Sequence, residues 1–118
     1  MRSASRTTTS RLWSSGIDAS GIHEQDELEL SGPNARQSYV YRGTPHLVLS
    51  LAFRRLGVDP RAFTFVDLGS GKGRVVVRAA RHPFQGVEGV ELSPKMHAVA
   101  LDNVDKARNC AALRSPVT

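Results

Sequence analysis

Cysteine is nearly missing: the 118 residues hold one, Cys110. An internal disulfide is therefore excluded, and the composition is compatible with a reducing compartment. A cytoplasmic location is the expectation. Lysine is scarce as well, 3 of the 16 basic residues, the other 13 being arginine. No run approaches the ~18 uncharged apolar residues that a membrane span requires. No membrane association is expected. The four histidines, His23, His46, His82 and His97, stand at no metal-ligand spacing, so no metal is expected. With 40% apolar and 23% charged residues, the chain reads as one small globular domain, not a collagenous or wholly disordered one.

Charge is distributed unevenly. Residues 1–30 hold three arginines and five acids, a net of −2, and residues 31–118 hold 13 basic residues and six acids, a net of +7; together these give the +5 of the whole chain. Two readings of the basic part stay open: a solvated arginine-rich surface, or a surface that attracts nucleic acid or another polyanion.

Residues 1–16 are rich in Ser, Thr and Arg without one acid, and residues 18–29 turn acidic. Neither stretch has an apolar period, so residues 1–38 are expected to be a disordered segment, basic and then acidic. The opening composition also fits an organelle transit peptide, while a secretory signal is excluded by the want of an apolar stretch. Order is expected from Tyr39. Thr44-Pro45 reads as a helix cap and first helical position. Leu49, Ala52, Phe53 and Leu56 follow at helical spacing, and Gly57 ends the run. Residues 62–66 are short, β-branched and aromatic, the pattern of a strand buried on both faces of a parallel sheet.

A glycine-rich turn, Asp67-Leu68-Gly69-Ser70-Gly71-Lys72-Gly73, follows that strand. Residues 74–82 read as a helix with Arg74, Arg78 and Arg81 on its wet face. Residues 87–92 read as a second strand, interrupted by Glu88. Ser93-Pro94 begins a last helix, with Met96, Ala100, Val104 and Ala107 as its apolar stripe and Cys110 on the apolar side. Residues 114–118 are expected to be a frayed tail. The order helix-strand-helix-strand-helix implies a parallel sheet. The expected fold class is thus α/β, a Rossmann-like doubly wound sheet, truncated.

Ligands of such sheets bind at the carboxyl ends of the strands. A phosphate-binding P-loop is excluded, because Gly71-Lys72 is followed by Gly73 where Ser or Thr is required. The dinucleotide spacing is excluded too, since Arg74 stands where a small residue is needed. Asp67 discriminates further. A carboxylate beside the turn repels pyrophosphate and favours a cationic ligand. S-adenosylmethionine, with a sulfonium, an ammonium and one carboxylate, has that character. Glu91, at the end of the second strand, is placed to accept ribose hydroxyls.

The segments Phe63-Thr64-Phe65-Val66-Asp67-Leu68-Gly69-Ser70-Gly71-Lys72-Gly73-Arg74 and Gly89-Val90-Glu91-Leu92-Ser93-Pro94 resemble the first and second motifs of class I S-adenosylmethionine-dependent methyltransferases. The resemblance covers roughly residues 39–110. It implies S-adenosylmethionine as cofactor, held by Asp67, Gly69, Ser70, Gly71 and Glu91. It also suggests Tyr41 and Thr44 near the methionine end. It points to no acceptor and no catalytic residue. A complete domain of that family resembles a seven-stranded sheet, so residues 39–113 are expected to be its N-terminal half. The alternatives are an inactive truncated fragment and a basic nucleic-acid-binding module. Lys72 and the Arg54, Arg55 and Arg61 group are expected at the wet surface.

Overall fold

Asp59 opens the ordered βαβ unit. Its carboxylate accepts from the Arg61 amide at 3.0 Å and caps a 3₁₀ turn at Pro60–Ala62. In the computed structural model residues 16–18, 22–23, 33, 41–42 and 44–118 are described. Two short strands, β1 (Ile22–His23) and β2 (Tyr41–Arg42), pair antiparallel. Helix α1 (His46–Arg54) precedes β3 (Thr64–Leu68). Helix α2 (Arg74–Ala79), β4 (Gly86–Val90) and helix α3 (Pro94–Asn109) follow. β3 and β4 run parallel, with Phe65 opposite Val87 and Asp67 opposite Gly89. The class is a small α/β fold around a two-stranded parallel sheet.

The buried face of this sheet carries Phe65 and Val87, packed with Val76, Val77 and Ala80 from the α2 region and Val104 and Ala107 from α3. Phe65 sits between Phe53 and Phe84, with both ring centroids 5.6 Å away. The predicted α3 stripe holds: Met96, Ala100, Val104 and Ala107 are all buried. Ser93 caps this helix as its sequence predicts, accepting from the Met96 amide at 3.2 Å. Burying such residues is the main favourable term in the fold.

Several local expectations are corrected. β3 is not buried on both sides. Val66 and Leu68 are exposed, and so are Glu88 and Val90 on β4. Among the described residues the core lies against the opposite face, so the burial alternates. Glu88 therefore reaches water without cost. Pro45, not Thr44, occupies the N-cap of α1, and no side chain caps it. Only Leu49 of the four-residue α1 stripe is buried; Ala52 and Leu56 are exposed. α2 ends three residues earlier than predicted. Cys110 is exposed as the cap residue of α3.

The frayed end expected at residues 114–118 is also corrected. The amide of Arg114 donates to the Ala80 carbonyl at 2.6 Å. Val87 donates to the Pro116 carbonyl at 2.9 Å, Thr118 to the Val87 carbonyl at 3.0 Å and Gly89 to the Thr118 carbonyl at 2.9 Å. Val117 thereby bridges Val87 in parallel sense. This segment extends the sheet beyond β4, which satisfies backbone groups that an open edge would leave unpaired. The disorder expected for residues 1–38 falls largely outside the described residues. Where that segment is described, Ile22–His23 is paired and Asp18 is hydrogen-bonded to α3.

Candidate functional site

Asp67, the glycine-rich turn and Glu91 meet at the C-terminal ends of β3 and β4. Parallel pairing in register explains why: Asp67 lies opposite Gly89, two residues before Glu91. Gly69, Gly71 and Gly73 have φ of +78°, +54° and +80°, in the left-handed region that side chains disfavour. The amides of Gly69 and Ser70 both donate to the Val90 carbonyl, at 2.8 and 3.0 Å. The Gly71 amide donates to Oε2 of Glu91 at 2.6 Å, and the Ser93 amide to Oε1 at 2.8 Å. The carboxylate is thereby pinned on both oxygens. Each oxygen keeps a further acceptor position for another donor.

Asp67 is half-buried. Burial raises its carboxyl above the usual value, and the nearby Glu91 charge adds to the rise. Two carboxylates thus share one small region, which favours an incoming cation. Ser70 is buried, and its Oγ would lie 3.0 Å from a Cβ added at Gly89. Its side chain therefore packs beneath the turn. It lines an apolar cavity of about 70 Å³ with His97, Leu101 and Val104. That volume suits small apolar groups and is far below that of a nucleoside.

Lys72 is buried, contrary to the sequence expectation. Its Nζ donates to Asp18 Oδ1 at 3.0 Å. Its carbonyl accepts from Asn103 Nδ2 at 2.8 Å, and the same amide group donates to the Asp18 carbonyl at 2.6 Å. The Asp18 amide in turn donates to Asn103 Oδ1 at 2.9 Å. Asn103, fully buried, thus ties an N-terminal residue and the glycine-rich turn to α3. One signal for it was visible: Asn103 falls on the α3 stripe between Ala100 and Ala107, where an apolar residue was due.

Arg74 and Arg78 are half-buried, not on a wet face. Arg74 Nη1 donates to the Thr44 carbonyl at 3.1 Å, which sets Thr44 beside the start of α2. Arg78 Nη2 donates to Ser50 Oγ on α1 at 2.5 Å. Tyr41 lies in β2. Arg54, Arg55 and Arg61 are exposed as expected, Arg61 pairing with Asp59 at 3.0 Å. Among the described residues no three His, Cys, Asp or Glu side chains converge as a metal site would require. Among the same residues no helix is long and apolar enough to cross a membrane.

Neither a protein-family model nor a curated protein matches this chain. Among solved structures it is similar to an RNA methyltransferase from Salinibacter ruber, crystallised in complex with S-adenosyl-L-homocysteine. The two share 30% identity and superpose with a TM-score of 0.50 over 64% of this chain. The match spans 47% of the Salinibacter ruber chain, less than half its length. The likeness supports a methyltransferase fold for the matched region.

Proposed function

We propose that this chain holds S-adenosylmethionine at the C-terminal ends of β3 and β4. In this reading it is the N-terminal half of a class I methyltransferase domain, a partial Rossmann-like sheet, and RNA is the acceptor. The single observation that carries the reading is the pairing of Asp67 with a backbone-pinned Glu91 around the glycine-rich turn. The residues present fit the cofactor. Asp67 offers negative charge to its sulfonium and ammonium end, and Glu91 offers acceptor positions to ribose hydroxyls. Gly69 and Gly71, with no side chain, let the ligand approach the backbone.

When bound, the cofactor supplies an electrophilic methyl group on a positively charged sulfur. The chain's residues position it. Asp67 would offer its carboxylate to the cation, and Glu91 would accept hydrogen bonds from the sugar hydroxyls. Such positioning contributes by holding donor and acceptor in line. Acceptor activation is assigned to no residue of this chain. RNA is favoured as the acceptor by the Salinibacter ruber likeness and by the net charge of +5.

Ultraviolet cross-linking of methyl-labelled S-adenosylmethionine, followed by peptide mapping, tests the reading. Label on peptides covering residues 64–74 or 86–96, competed away by S-adenosylhomocysteine, is the expected result. Label spread over unrelated peptides and insensitive to competitor would overturn it.

A further inference from the structure

Residues 16–18 lie along α3 and end against the glycine-rich turn. Lys106 Nζ, on α3, donates to the Gly16 carbonyl at 3.0 Å, and Ile17 packs against the core. Asp18 is held by its backbone. Its amide donates to Asn103 Oδ1 at 2.9 Å, and its carbonyl accepts from Asn103 Nδ2 at 2.6 Å. Its side chain serves the turn, where Oδ1 accepts from Lys72 Nζ at 3.0 Å. The Lys72 side chain is 5% exposed and that of Asp18 57%. A buried ammonium is thus met by a carboxylate that keeps contact with water.

The turn needs such a hold. Gly69, Gly71 and Gly73 all have positive φ, and glycine loses more conformational freedom on ordering than any other residue. β4 fixes the first part of the turn: the Gly69 and Ser70 amides bond to the Val90 carbonyl, and the Gly71 amide to Glu91. Lys72 is fixed from α3 and from Asp18. Its carbonyl accepts from Asn103 Nδ2 at 2.8 Å, and its ammonium donates to Asp18. A Cβ at Gly73 would stand 3.2 Å from Ala100 Cβ, so the turn also rests on α3. Asn103 Nδ2 therefore joins the carbonyls of Asp18 and Lys72, and the ion pair closes a ring between the same two residues. A buried ammonium depends on nearby negative charge. The placement of Lys72, and of the turn around it, follows that of Asp18.

We infer that Asp18 is a positioning residue for the cofactor: through Lys72 it holds the glycine-rich turn in the shape that binds S-adenosylmethionine, so that cofactor binding and docking of residues 16–18 reinforce each other. This rests on the reading of the turn as the cofactor site. The coupling is reciprocal. Cofactor binding orders the turn, and the ordered turn presents Lys72 to Asp18. Residues 16–18 are drawn onto α3 by the same factor that Asp18 adds to cofactor affinity.

The test is hydrogen–deuterium exchange of the full chain with and without S-adenosylhomocysteine, read in peptides covering residues 16–23 and 64–74, together with calorimetry of the same ligand. In the unaltered chain the ligand should slow exchange in both peptides, a result that needs no variant to fold. Asp18→Asn keeps both backbone bonds to Asn103 and removes the charge. It should weaken the ligand about tenfold and abolish the slowing in residues 16–23. Lys106→Gln loosens the same segment from α3 without touching Lys72, and its affinity should stay within about twofold of the original. Slowing confined to residues 64–74, an unchanged affinity in Asp18→Asn, or equal losses in both variants would overturn the inference and leave the cofactor site standing. No slowing at residues 64–74 in the unaltered chain would overturn the cofactor site, and this inference with it.

Discussion

The Gly71 amide donates to Glu91 across 2.6 Å, joining residues 20 positions apart. The turn after β3 and the end of β4 therefore behave as one unit. A change at Glu91 should act on both ligand affinity and the turn itself. Glu91→Gln keeps the shape and removes the charge. Hydrogen bonds to a charged acceptor are worth roughly 1.5–3 kcal/mol. Stability should fall by about 1–2 kcal/mol and S-adenosylhomocysteine affinity by about tenfold. Melting and calorimetry check the pair; unchanged values in both would contradict it.

Asp67 should give the cofactor affinity a pH dependence. Its carboxyl is raised by burial and by Glu91, and a bound cation would favour the ionised form. Affinity should be full at neutral pH and decline as pH falls through the raised value. Asp67→Asn should bind more weakly and lose that acid limb. The empty protein moves in the other sense. Between the raised folded value and the unfolded value of 3.8, the native state holds more protons, so Asp67's part of the stability rises as pH falls.

His82 titrates with the opposite sign. Its value is held below 6.5 by burial and then by Arg78, Arg81 and Arg114, with the Phe53 and Phe84 rings packed beside it. Below 6.5 the unfolded chain takes up the proton first, so stability should fall as pH drops through that region. Denaturant titrations at pH 7.5 and 5.5 measure the slope, and His82→Gln should flatten it.

Two glycines separate packing from backbone strain. A Cβ at Gly89 would meet Val76 Cγ2 at 2.9 Å and Ser70 Oγ at 3.0 Å. Gly89→Ala should destabilise by about 1–3 kcal/mol. At Gly69 nothing lies within 4 Å, but φ is +78°, so Gly69→Ala should cost about 1 kcal/mol. Thermal melts should rank Gly89→Ala as the more damaging. The reverse order would mean that the turn, not the sheet contact, limits the fold.

The buried Asn103 gives a further check. It makes three hydrogen bonds, to the Lys72 and Asp18 carbonyls and from the Asp18 amide. Asn103→Ala removes all three and leaves a void, which should cost about 2–4 kcal/mol. Denaturant unfolding measures it, and a loss under 1 kcal/mol would show that the interlock contributes little.

Much of the βαβ unit was legible because its signals are local. The α3 stripe, the Ser93 cap and the strand-turn-helix passage at Asp67 each occupy fewer than 20 consecutive residues. Asp67 and Glu91 could be placed together because parallel strands bring their carboxyl ends to one side. What was not legible depends on distant partners. Pro116-Val117-Thr118 is too short to carry a strand pattern, and only β4 beside it makes it one. The burial of Lys72 depends on Asp18, 54 positions away. The periodicity of α2 showed that Arg74 and Arg78 share a side, but not that Thr44 and Ser50 meet them there.

Isothermal titration calorimetry with S-adenosylhomocysteine and, separately, NADH is the most direct trial of the cofactor site. Micromolar heat for the first ligand, lost in Asp67→Asn, and none for the second is the outcome expected from a carboxylate-guarded turn. Saturable NADH binding with no response to the homocysteine compound would contradict it.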